Sequence, residues 1–309
     1  MNLSQLVDHM RHSPMFQDRI TAWHDIPARE ARTLPYPDWV DPRLVAVLKK
    51  AGANELYTHQ RHAVDAIHRG EHVVVVTPTA SGKTLCYNLP VLNTILDNPE
   101  ARALYLFPTK ALAQDQLANL HAISTALEQG VKTFTYDGDT SPTARKIVRT
   151  AGHIVISNPD MLHTGVLPHH TKWVRLFENL KYIVIDELHN YRGVFGSHVA
   201  NVIRRLLRIC EFYGSRPQFI CCSATIANPK ELAERIRGPE QVHAQVQPGN
   251  FEHKQAERIV GPRPTTLVDD NGAPQGPKTF IFYNPPVVNK ELGLRRSALL
   301  EATDISSQL

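Results

Sequence analysis

Between residues 42 and 246 the chain alternates short, dense apolar runs with longer segments whose apolar positions recur every three or four residues. The dense runs are 72–77, 103–107, 131–136, 153–157, 182–186, 218–223 and 242–246. Several are apolar throughout rather than at every second position, the pattern of parallel strands covered on both faces. The segments between them carry readable helix starts. Thr109-Lys110 opens a helix running to about Leu127, Ser141-Pro142 opens another with proline in its first turn, and Gly196 precedes the run 197–212. This alternation predicts an α/β fold of three layers, a mainly parallel sheet between two sets of helices.

The flanks read differently. Residues 1–41 hold a short amphipathic segment (Leu3, Leu6, Val7, Met10) followed by Pro27, Pro35 and Pro37, an N-terminal helical extension rather than a domain. Residues 247–290 are rich in proline and glycine, with Pro248, Pro262, Pro264, Pro274, Pro277, Pro285 and Pro286, and read as a linker or a hairpin-bearing insertion.

Composition narrows the field only a little. With 309 residues, 42% of them hydrophobic and 21% charged, the chain is long enough to bury a real core. A formal charge of +4 permits nucleic-acid binding without requiring it, because such binding needs a local basic stripe and not a net excess. Cys86, Cys210, Cys221 and Cys222 lack C-x-x-C spacing, so no zinc site is expected and reduced core thiols are. None of the 16 histidines is assigned to a metal. No signal peptide is evident and no apolar stretch approaches the ~18 residues of a membrane span. The expectation is a cytoplasmic protein, nucleoid-associated in a bacterium, with no membrane partner.

Chemistry enters at two strand ends. Ser81-Gly82-Lys83-Thr84 follows the β-branched run 72–76 and opens a helical pattern, the order strand, loop, helix of a phosphate loop. Only the right half of that motif is present, since Thr77 stands where a glycine is usual. In this reading Thr79, Ala80, Ser81 and Gly82 bring backbone to the phosphates, Lys83 neutralises their charge, and the Thr84 hydroxyl ligates Mg²⁺. Taken alone, the four residues fit a strand-turn-helix corner with an exposed lysine equally well. The second strand end is Asp186-Glu187-Leu188-His189 after 182–185. There Asp186 is placed to hold Mg²⁺ and Glu187 to act as base on an attacking water. An Asp-Glu pair also suits a plain helix N-terminus, but beside a phosphate loop the nucleotide reading leads. The implied cofactors are ATP and Mg²⁺.

With these residues in hand the chain resembles the superfamily 2 helicases of the DEAD/DExH-box type, with Asp186-Glu187-Leu188-His189 as motif II. Leu56-Tyr57-Thr58-His59-Gln60 looks like the Q motif, and residues 107–116 look like motif Ia. Ser157-Asn158-Pro159-Asp160-Met161-Leu162 resembles motif Ib, and Ser223-Ala224-Thr225 resembles motif III. A narrower likeness, to bacterial mitomycin-repair helicases and fungal RecQ-four-like helicases, comes from residues 191–198, 282–286 and 294–297.

The resemblance implies a RecA-like P-loop NTPase domain over 42–246, with Gln60 reading adenine and His189, Ser223 and Thr225 coupling nucleotide state to motif III. It further implies Thr109, Lys110, Gln114, Asn158 and Asp160 on a nucleic-acid track, and an ATP-dependent helicase or translocase acting on single-stranded or forked DNA in repair. RNA stays open as the nucleic acid. Relatives place their site between two RecA-like domains, the second bringing an arginine finger. Residues 291–309 read as the start of such a second domain, which is expected in the full-length protein. Without it, the rival reading is a non-catalytic module that binds nucleotide and nucleic acid.

Overall fold

In the computed structural model, which describes residues 3–127, 130–239 and 262–308, the dense apolar runs become strands because both of their faces are buried. They are β1 (His72–Val76), β2 (Arg102–Leu106), β3 (Thr133–Thr135), β4 (Ile154–Ser157), β5 (Leu180–Ile185) and β6 (Gln218–Ser223). A seventh, β7 (Thr265–Val268), completes one sheet in the order β7-β1-β6-β5-β2-β4-β3, and every pairing in it is parallel. Alternate residues of each strand enter opposite cores. Val73, Val75, Tyr105, Ile220 and Cys222 pack on one side, while Val74, Val76, Leu104, Leu106 and Cys221 pack on the other.

Helices cover both sides, as the periodicity predicts. The first core takes residues from α1 (Thr58–His68), α2 (Lys83–Asp97) and α3 (Lys110–Ala126). The second takes residues from α4 (Pro142–Ala151), α5 (Gly193–Phe212) and α6 (Pro229–Arg237). Ser141 caps α4, its hydroxyl accepting from the Ala144 N–H. Helix α5 begins four residues before the expected start. Gly196 is already inside it, pressed against the Tyr191 carbonyl so closely that a Cβ would sit 2.4 Å from that oxygen.

Two expectations are corrected. The stretch 247–290 is more than a linker, because β7 within it pairs along β1 from Thr265 opposite His72 to Val268 opposite Val75. Four residues between prolines give too short a period to reveal a strand, and the pairing that makes them one spans nearly the whole sheet-forming sequence. The strand expected at 242–246 lies outside the described residues. The chain also divides differently at its ends: one compact unit is Arg32–Ala273, and the other joins Met1–Ala31 with Pro274–Leu309. In the smaller unit a strand at Ile20–Ile26 pairs antiparallel with β8 (Lys278–Tyr283). Its final helix, Ala298–Gln308, is fixed through the buried Glu301 carboxylate, which accepts from the Tyr283 hydroxyl (2.7 Å), Arg19 (3.0 Å) and Arg296 (3.0 Å). Residues 1–31 and 291–309 thus share one unit, where local pattern alone had them as an extension and the start of a separate domain. Among the described residues no helix is long and apolar enough to cross a membrane.

Candidate nucleotide and nucleic-acid site

The carboxyl ends of β1, β5 and β6 lie side by side in the sheet, so the residues that follow them converge. After Val76 the chain turns through residues 77–82 into α2. The turn is held by a buried hydrogen bond of 2.6 Å between the Thr77 and Ser81 hydroxyls. It needs left-handed backbone at two places, Gly82 (φ +80°) and Ala80 (φ +61°), and only the first is a glycine. The Lys83 ammonium bends back over the loop and donates to the carbonyls of Thr77 (2.8 Å) and Pro78 (2.9 Å).

Gln60, the expected adenine reader, is 4% exposed and spans from α1 to this loop. Its Oε1 accepts from the Tyr57 N–H (2.9 Å) and its Nε2 donates to the Gly82 carbonyl (2.9 Å). A Cβ on Gly82 would come within 2.6 Å of that Nε2, a second reason for glycine there. In this structure, then, the Gln60 amide ties the Q motif to the phosphate loop. Next to it Tyr57, Leu85, Thr33, Lys49, Asn54 and Glu55 line a cleft of about 740 Å³, within the range of small-molecule sites.

Motif II starts where β5 ends. Asp186 is partly buried, and this burial pushes its carboxyl above the ordinary aspartate value. Two donors oppose the shift: the Glu187 N–H reaches Oδ1 (2.8 Å) and the Tyr87 hydroxyl reaches Oδ2 (3.0 Å). Glu187 itself sits at φ +52°, ψ +43°, an uncommon conformation for a residue with a Cβ, held by the turn Leu188–Asn190 that follows.

His189 Nδ1 lies 3.3 Å from the Ala224 N–H and 3.3 Å from Glu187 Oε2. One ring nitrogen either accepts from Ala224 or donates to the carboxylate, so it can report to motif III or to motif II but not to both at once. The contact with motif III is thus made through the Ala224 backbone, between the two expected partners. Of these, the Ser223 hydroxyl is buried with no hydrogen bond among the described residues, and Thr225 is exposed.

The expected nucleic-acid residues fall on helix starts after β2 and β4. Thr109 caps α3 by accepting from the Leu112 N–H (3.4 Å), and Asn158 caps the turn Pro159–Met161 by accepting from the Met161 N–H (2.8 Å). Thr109, Lys110 and Asn158 border one small cleft with Thr135 and Asp137. Gln114 and Asp160 are exposed outside it. Lys110 is paired with Asp139 at 2.5 Å, which raises its pKa.

Four participants escaped the sequence reading. Tyr87 and Gln116 are buried polar groups at the phosphate loop, the latter donating to Thr84 Oγ1 at 3.4 Å. Asp137 and Asp139 face the motif Ia lysine, and the Asp137-Gly138-Asp139 turn was the available signal. For the first two, a polar residue inside an apolar helical stripe was the signal. Thr84 and Asp186 themselves offer oxygen atoms, the chemistry Mg²⁺ prefers. That ion binds through one or two carboxylates with substrate phosphates and needs no dedicated cage. Among the described residues no group of three or more His, Cys, Asp and Glu forms one.

Comparison with known proteins gives the family. The family profile for DEAD/DEAH box helicases matches residues 57–232. The uncharacterized ATP-dependent helicase YprA of Bacillus subtilis is 57% identical over 307 residues, covering 99% of this chain and 37% of YprA. The ATP-dependent helicase HRQ1 of Saccharomyces cerevisiae is 34% identical over 311 residues, covering 99% of this chain and 26% of HRQ1. The structure of the DUF1998 helicase MrfA bound to DNA and AMPPNP superposes with a TM-score of 0.87 at 56% identity, over 100% of this chain and 39% of MrfA. The chain therefore spans about a third of the length of these relatives. Its seven-stranded unit has the RecA-like helicase fold, and the chain belongs to the DEAD/DEAH box helicase family.

Proposed function

We propose that this chain is the ATP-binding RecA-like domain of an ATP-dependent DNA helicase or translocase. The observation that carries the proposal is the convergence at one sheet edge of Lys83 and Thr84 after β1, Asp186 and Glu187 after β5, and the motif III residues after β6. The site would take ATP with its base in the cleft by Tyr57 and its phosphates over Thr79–Thr84. Lys83 would exchange the Thr77 and Pro78 carbonyls for phosphate oxygens. Thr84 and Asp186 would hold Mg²⁺, which when bound neutralises charge developing on the phosphates. Glu187 would orient and deprotonate the attacking water, from a backbone conformation that aims its carboxylate before substrate arrives. The position of MrfA, a relative bound to DNA, favours DNA over RNA as the track's occupant.

Hydrolysis coupled to movement would require a second RecA-like domain to supply the opposite wall of the cleft. The chain's one-third share of its relatives' length supports a second reading of the chain alone, as a module that binds nucleotide and DNA without turning over. Steady-state ATP hydrolysis, with and without single-stranded DNA, tests both for the chain alone and for the chain joined to a second RecA-like domain. DNA-stimulated turnover in the joined protein, lost on Lys83→Ala, is the expected result. Turnover insensitive to both DNA and Lys83 would overturn the helicase reading, and robust DNA-stimulated turnover by the chain alone would overturn the module reading.

A further inference from the structure

The Tyr87 side chain is fully buried in α2, one turn after the phosphate loop, and its ring meets Tyr105 edge to face at 5.4 Å. Packing would be served as well by phenylalanine. Its hydroxyl, however, donates to Asp186 Oδ2 at 3.0 Å and so ties α2, the helix that leaves the phosphate loop, to motif II. On the same helix Thr84 accepts from Gln116 Nε2 at 3.4 Å. A tyrosine hydroxyl has one hydrogen, and here it is spent on the carboxylate.

Lone-pair accounting shows what is left over. Thr84 Oγ1 gives one lone pair to Gln116, so one lone pair remains. On Asp186, Oδ1 takes the Glu187 N–H and Oδ2 takes the Tyr87 hydroxyl, leaving each carboxylate oxygen at least one further acceptor site. Both groups are therefore held by donors while oxygen lone pairs stay free for a cation or its water. Tyr87 is fully buried, so turning its hydroxyl off the carboxylate would strand it away from water.

From this we infer that Tyr87 is a positioning residue, whose hydroxyl holds the Asp186 carboxylate of motif II against the helix that leaves the phosphate loop, in the placement that receives Mg²⁺ with the nucleotide. The inference rests on the proposed Mg²⁺ role of Thr84 and Asp186, and the test separates the two. Binding of a fluorescent ATP analogue to the 309-residue chain is titrated with Mg²⁺, and repeated in excess chelator, for the wild type, Tyr87→Phe, Asp186→Asn and the double variant. The phenylalanine keeps the ring and its packing, and thermal melting checks that the variant folds.

The expected result for Tyr87→Phe is a rise of about tenfold in the Mg²⁺ concentration for half-maximal binding, the size typical of outer-shell partners, with metal-free affinity within about twofold of wild type. Adding Tyr87→Phe to Asp186→Asn should cause little further rise, because Tyr87 acts through that carboxylate. If Asp186→Asn shifts the Mg²⁺ midpoint but Tyr87→Phe does not, the positioning role is overturned and the site reading stands. If Asp186→Asn shifts nothing, the site reading itself falls, and the inference with it. Equal loss of affinity with and without Mg²⁺ in Tyr87→Phe would mark a merely structural hydroxyl and overturn the inference. A purely structural role would not move the Mg²⁺ midpoint alone.

Discussion

The two ends of the parallel sheet both bury polar groups, and they differ in the strain that surrounds them. At the amino ends, polar side chains are spent on the fold. His72 Nδ1 accepts from the Phe219 N–H at 2.9 Å, Gln218 Nε2 donates to the Ile67 and Glu71 carbonyls, and Arg102 donates to the carbonyls of Pro99 and Ala101 at 2.9 Å each. At the carboxyl ends the backbone is bent into left-handed conformations at Ala80 and Glu187, and the Asp186 carboxylate is kept where burial disfavours its charge. Proteins close such defects unless something else needs them open. The contrast separates buried polar residues that stabilise from those held ready for a ligand, a distinction that burial alone does not make.

The largest test of that contrast removes a charge from the carboxyl edge. Lys83→Ala should weaken ATP binding by on the order of a hundredfold, the scale for losing a charged donor aimed at a ligand oxygen, while costing the fold little. A calorimetric ATP titration paired with a thermal melt reads both. A large stability loss without a binding loss would place Lys83 with the structural group instead.

Next in size is the response of the amino edge to acid. Burial, with Arg237 and Arg263 nearby, lowers the His72 pKa to about 3 from an ordinary 6.5. The folded protein therefore binds fewer protons here than the unfolded chain between those values. The contribution of neutral His72 is fully present above pH 6.5 and is lost as pH falls toward 3. Between pH 6.5 and 5 the loss is at most about 2 kcal/mol. In His72→Asn, whose amide oxygen can replace Nδ1 as acceptor, denaturant melts should show a shallower fall over this window, with ATP affinity at pH 7 unchanged. An unaltered slope would remove His72 from the account.

The smallest effect sharpens the claim that the carboxyl edge carries strain. Ala80→Gly relieves a left-handed alanine and should raise stability by up to about 1 kcal/mol in urea melts. A loss of stability would mean that the loop tolerates alanine without cost.

How much of this could be read beforehand follows the same division. The strands β1 to β6 and their burial on both faces were legible, because a dense apolar run has few other uses, and Ser81 to Thr84 and Asp186-Glu187 were legible from their place at strand ends. The strand β7 was not, since Thr265 to Val268 become a strand only by pairing with His72 to Val75. The pairing of Ile20–Ile26 with Lys278–Tyr283 is hidden for the same reason: it joins segments about as far apart as the chain allows. Tyr87 looked like one more apolar position on α2, and only the position of its hydroxyl against Asp186 distinguishes it. Motif positions named Thr109 and Asn158 as nucleic-acid contacts but gave no sign that both also cap the turns on which they sit.

The most direct measurement is single-turnover ATP binding and hydrolysis by Glu187→Gln, in the chain joined to a second RecA-like domain and with single-stranded DNA present. The account predicts ATP affinity within about threefold of wild type and hydrolysis reduced by on the order of a hundredfold or more, since the amide keeps the shape of the site but cannot take a proton. Hydrolysis at the wild-type rate would contradict it, because the carboxylate held at the end of β5 would then have no part in the chemistry that this edge of the sheet is proposed to perform.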